Sequence, residues 1–144
     1  MRAYGGGRIT TAATATLPAG SLYAIANRPL YVVEVGIFNT TITATNVALG
    51  RFSTAGTPGS GFTEMSEDNE ITPVATLFDS HTSTAPTLVG TYARGDLGAA
   101  IGAGVIFTFG GKGLRVPAGT GNGVGLLCLN GTGQIWDFYY AWDE

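Results

Sequence analysis

Charge is scarce in this sequence: Asp, Glu, Lys and Arg together make up only 12% of 144 residues. An ordinary globular chain carries roughly 25%. A charged disordered chain, a coiled coil and a helical bundle all depend on those residues, so the composition excludes them. Seven basic and ten acidic residues give a net charge of −3. There is no basic stripe, and without one the chain has no electrostatic footprint for nucleic acid. Cysteine occurs once, at Cys128, which rules out an internal disulfide. The longest nearly apolar run, Ala99 to Phe109, is about half of a membrane-spanning helix. The N-terminus, Met1 to Gly7, has no signal-peptide core. The expectation is a chain made and folded in a cytoplasm, with no membrane partner.

What is abundant is glycine, 23 residues, and threonine, 20. Both are disfavoured in helices, and threonine suits strands. The chain therefore reads as all-β with many turns. A low-charge Thr, Ala and Gly surface suits permanent contact with other subunits.

Residues 1–20 stand apart. Gly5-Gly6-Gly7 precede a light stretch closed by Pro18 and Gly20, which reads as a flexible arm and a first edge strand. Residues 21–144 read as the β domain. Leu30 to Phe38 is the clearest early strand, with Tyr31, Val33, Val35 and Ile37 alternating onto one face. Ile42 to Phe52 is the next. Ser53 to Pro73 is a long irregular insertion, a length that usually marks function or interaction. Further strands are read at Val74–Phe78, Thr87–Ala93, Val105–Phe109 and Leu114–Pro117. Val124 to Leu129 is apolar on both faces, as a central strand is. Asn130-Gly131 signals a hairpin. In the returning strand Trp136, Phe138, Tyr140 and Trp142 share one face, which is expected to be buried.

Catalytic machinery is sparse. His81 is the only histidine and follows Asp79 and Ser80. Neighbouring strand residues point to opposite faces, so these three cannot converge as a triad; His81 reads as a turn or surface residue. Cys128, in the most apolar strand, reads as packing rather than as a nucleophile. Glu64, Glu67, Asp68 and Glu70 lack the spacing of a calcium loop. They read as a solvated acidic loop, with cation ligation and contact with a basic partner as alternatives. The glycine-rich stretches 110–113 and 119–123 match no phosphate-binding fingerprint. No catalytic residue, metal, cofactor or small-molecule substrate is expected.

The order Val35-Gly36-Ile37-Phe38-Asn39-Thr40, Leu49-Gly50-Arg51 and Thr57-Pro58-Gly59 resembles small structural proteins of tailed bacteriophages. So do Phe78-Asp79-Ser80 with Ala85-Pro86-Thr87, Ile101 to Phe109, Gly113 to Pro117, and the ending Tyr140-Ala141-Trp142-Asp143-Glu144. The likeness covers roughly residues 20–144. It implies a virion component, a capsid decoration (cement) protein on the outer surface of a phage head. Such proteins are commonly trimeric β domains, and their partner is the major capsid protein lattice. The expected fold is an antiparallel β-sandwich of jelly-roll type with a short N-terminal arm. A host-surface or carbohydrate-binding module of a tail or fibre is the alternative, and exposed tryptophans would favour it.

Overall fold

Short alternating segments separated by glycine-rich turns can bury an apolar face only by stacking one sheet on another. The computed structural model, which describes residues 1–130 and 132–144, has this arrangement. Eleven strands form among the described residues: β1 (Arg2–Arg8), β2 (Ala19–Tyr23), β3 (Leu30–Asn39), β4 (Thr45–Phe52), β5 (Met65–Ser66), β6 (Thr76–Phe78), β7 (Leu88–Leu97), β8 (Gly104–Thr108), β9 (Leu114–Val116), β10 (Gly123–Asn130) and β11 (Trp136–Asp143). They make two antiparallel sheets, a β-sandwich. One has the order β5-β1-β11-β3-β8, with β9 beside β8 on β3. The other has the order β6-β2-β10-β4-β7. The hairpin expected at Asn130-Gly131 includes Gly131, which lies outside the described residues.

The core lies between the sheets. Trp136, Phe138, Tyr140 and Trp142 all face it and are buried, as their alternation predicts. The Tyr140 hydroxyl satisfies itself there by donating to the Gly20 carbonyl at 2.7 Å. β10 is buried on both faces. Val124, Leu126 and Cys128 enter the main core. Leu127 joins Tyr23, Ala48 and Phe52 in a second cluster on the far side of its sheet. The irregular chain of 53–62 and 78–87 lies over that side, tied to itself by Thr57 N–Thr84 O and Asp79 N–Ser60 O. Part of the long insertion is thus a cover for a second, smaller core.

Two expectations change. β1 is not a free arm, and it is an edge only beyond the two residues that β5 covers. It runs antiparallel to β11 over all seven residues, from Arg2 opposite Asp143 to Arg8 opposite Asp137. Its other side pairs with β5 at Ala3 and Tyr4. The glycines serve close approach: a side chain at Gly5 would run into Leu77, and one at Gly7 into the Phe62 ring. Residues 9–18 form no strand and connect the two sheets.

The second change concerns β3. Tyr31 and Val33 do not share the core face with Val35 and Ile37. Ala141 pairs with Glu34 but Trp142 with Val32, so Val33 is the extra residue of a β-bulge. A bulge moves the inward positions by one. Leu30 and Val32 face inward before it, Val35 and Ile37 after it.

The chain ends meet. The Met1 amino group donates to the Glu144 carbonyl at 3.1 Å, and Glu144 N donates to Met1 O. The Glu144 carboxylate accepts from Val74 N and Ala75 N at 2.7 and 2.9 Å.

Candidate functional site

Asp79, Ser80 and His81 are all buried, which corrects the surface placement expected of His81. Each does a different job. Asp79 accepts from Thr10 N at 3.0 Å and from Thr10 Oγ1 at 2.7 Å. Ser80 Oγ donates to Thr11 O and accepts from Thr11 N. Together they fix the 9–18 connection, which has no ladder of its own. His81 reaches the other way. Its Nε2 lies 2.9 Å from the Ala55 carbonyl, which can only accept, so Nε2 carries the proton. The bare Nδ1 then faces the Ser21 hydroxyl at 3.4 Å, and Tyr23 OH stands 3.1 Å from Nε2. Burial pushes the imidazole below its ordinary pKa. Ser80 Oγ bonds Thr11 and Asp79, not His81, so Asp79, Ser80 and His81 do not form a triad. It is a latch that closes the cover over the second core.

Cys128 is buried, as expected, and burial pushes its thiol up. In the acidic loop, Glu64 accepts from Leu77 N and Asp68 from Glu70 N. Among the described residues no group of three His, Cys, Asp or Glu is placed to hold a metal. Both tryptophans are buried, so the aromatic platform offered by the sequence is core.

Two surface features remain. The first is an open trough of about 370 Å³ along β1, whose lining includes Tyr4, Gly6, Met65 and Tyr139. Tyr139 lies over Gly36 on the outer face and stacks on Phe38. It donates to Glu34 Oε1 at 2.5 Å. Burial, and then that carboxylate, push the phenol up to about 12. Two bidentate ion pairs, Arg2–Asp143 and Arg8–Asp137, lie along β1 and β11 on either side of Gly6 and Tyr139. The trough is aromatic and aliphatic, with no converging acid or base.

The second feature is the end of the sandwich where β3 meets the start of β11. There the loops 40–44 and 98–103 are pinned by one buried side chain. Asn39 Nδ2 donates to Thr43 O at 2.6 Å and to Gly98 O at 3.2 Å. Its backbone adds Asn39 N–Ala103 O and Gly102 N–Asn39 O. Thr40 Oγ1 donates to Ile135 O at 2.6 Å, which ties in the loop before β11. On these pinned loops Ile42 is 74% exposed and Ile101 73%, the two most exposed large apolar side chains described. The sequence predicts a strand from Ile42, but β4 starts at Thr45, and a single isoleucine in a Thr or Ala run carries no periodic signal that it is exposed. Comparison with protein-family models, curated proteins and solved structures finds no match for the chain.

Proposed function

We propose that this chain is a structural virion protein. In this reading it is a capsid decoration protein that binds the outer surface of a phage head as a homotrimer and stabilises the shell. The observation that carries the reading is the rigid loop end presenting Ile42 and Ile101. Apolar side chains held out on pre-ordered loops cost water contact but little ordering entropy on docking. Each such contact is weak, and a trimer on a repeating lattice gains by effective concentration. The strand order supports the jelly-roll connectivity. β1-β11-β3-β8 faces β2-β10-β4-β7, an arrangement of two Greek keys that recurs in capsid and lectin domains. That support is fold-level analogy.

Co-sedimentation with undecorated phage heads tests the reading. The wild-type chain is expected to pellet with the shells and raise their resistance to heat. Ile42→Asp with Ile101→Asp is expected to weaken binding by about a hundredfold, the loss of two interface anchors, with unchanged melting. Full binding by the double variant refutes the loop end. No pelleting by the wild type refutes decoration.

One feature favours a second reading, saccharide binding: the trough beside Tyr4 and Tyr139 is faced by rings and flanked by ion pairs. A glycan whose binding is lost in Tyr4→Ala and kept in Ile42→Asp selects it.

A further inference from the structure

We propose that the free edge of β7 is a two-fold interface with a second copy of this chain, two β7 strands pairing antiparallel about Gly95. The proposal concerns self-association and stands whether or not the chain binds a capsid.

Edge strands left long and unpaired recruit other strands, and proteins usually keep them short. The other outer strands of this sandwich are shorter: β5 has two residues, β6 and β9 three each, and β8 five. β7 has ten and, among the described residues, pairs only with β4. Among the described residues no backbone hydrogen bond engages its outer side. Its first four residues, including Leu88 and Val89, are exposed.

The two halves of β7 differ. Register shifts against β4 leave Val89 and Tyr92 as extra residues, and such bulges spoil an edge for pairing. From Ala93 to Leu97 the register is unbroken, opposite Leu49 to Thr45. This regular half reads Ala93-Arg94-Gly95-Asp96-Leu97. Charge is mirrored about its centre. Antiparallel pairing about Gly95 sets Arg94 opposite the partner subunit's Asp96, and Asp96 opposite the partner subunit's Arg94. Opposite charges placed so are favourable cross-strand pairs, and any shift of two residues puts like beside like or leaves both unpaired.

Within one chain these groups are not matched. The ion pairs among the described residues are Arg2–Asp143 and Arg8–Asp137, and Arg94 is in neither. Among the described residues Asp96 receives one hydrogen bond, from Asn46 Nδ2, to Oδ1, which leaves Oδ2 for a guanidinium. Both side chains are exposed. On the inner side of Gly95, Val105 and Phe107 close the sandwich, so the strand is supported where a partner would dock. A flanking strand from a different protein would gain the same backbone bonds but has no reason to mirror this charge pattern.

Sedimentation velocity at low and high salt tests the proposal. The wild type is expected as an even-numbered assembly, two trimers joined where the proposed three-fold contact forms and a dimer where it does not, weakening as salt rises. Arg94→Glu is expected to weaken the association by about tenfold or more. The double reversal Arg94→Glu with Asp96→Arg is expected to restore it. Circular dichroism confirms folding of each variant. Hydrogen exchange on the wild type gives a readout free of mutation, because the 93–97 amides should become protected as concentration rises. A wild-type monomer, an odd-numbered assembly indifferent to Arg94→Glu, or amides with concentration-independent exchange overturns the proposal. If the double reversal folds yet stays apart, the Gly95 register is wrong.

Discussion

The two tryptophans of β11 look equivalent and should not behave so. Trp136 and Trp142 are both fully buried on the same face. The Trp136 indole N–H donates to Thr45 Oγ1 at 3.3 Å. The Trp142 indole N–H is buried with no acceptor among the described residues. Replacing either by phenylalanine removes a similar volume. Roughly 40 Å³ of cavity, with the transfer free energy lost alongside it, costs about 2 kcal/mol at either site. The polar contributions then have opposite signs. Trp136→Phe also loses a hydrogen bond and strands a buried hydroxyl, adding about 1–2 kcal/mol. Trp142→Phe removes an unsatisfied donor and recovers about 1–2 kcal/mol. The expected losses are about 3–4 kcal/mol for Trp136→Phe and about 0–1 kcal/mol for Trp142→Phe. At roughly 3 °C per kcal/mol for a chain of this size, the melting temperatures differ by about 9 °C. Urea titration followed by circular dichroism measures both, with unchanged slope as the check that only stability moved. Equal losses, or a larger one at Trp142, refute this assignment of the indole partners.

Other outcomes follow from the same geometry. Deleting residues 1–8 is expected to leave no cooperative melting transition, because β11 loses a seven-residue ladder and the core loses Ala3. A truncated chain that melts like the parent would restore the arm. Burial depresses the His81 pKa in the fold, so the unfolded chain binds the extra proton first. Stability is therefore complete above the ordinary value near 6.5 and falls as pH drops below it, until the folded form also protonates. His81→Gln is expected to flatten that slope in thermal melts between pH 7 and pH 5, the window just around that ordinary value. An unchanged slope would place the loss on other groups.

The strand β11 was legible because its large inward side chains, Trp136, Phe138, Tyr140 and Trp142, keep a period of two. β3 was legible as a strand but not in its facing. The bulge at Val33 arises from pairing with β11, and no property of the residues Tyr31 to Val35 announces it. Gly5-Gly6-Gly7 misled in the opposite way. Glycine composition reads as freedom, whereas here the missing side chains make room for Leu77 and Phe62, both far along the chain. Separation along the chain also hid the latch. His81 becomes a buried residue only because Ser21, Tyr23 and Ala55 close around it. The exposed loop end was invisible for a related reason: Asn39 is one polar residue in a turn until Thr43 and Gly98 both present their carbonyls to it.

The meeting of Met1 with Glu144 gives the molecule a polarity. β11 runs from Trp136, opposite Asn39 at the loop end, to Asp143, opposite Arg2 beside the chain ends. Eight residues of strand separate the two poles, about 25 Å at the usual rise. Anything joined to either end of the chain therefore departs from the pole opposite Ile42 and Ile101. A molecule seated by those isoleucines would carry both attachment points outward, close enough together that one insertion joining residue 144 to residue 1 and reopening a loop elsewhere preserves the sandwich. Such a circularly permuted chain moves the site of attachment without touching the docking pole.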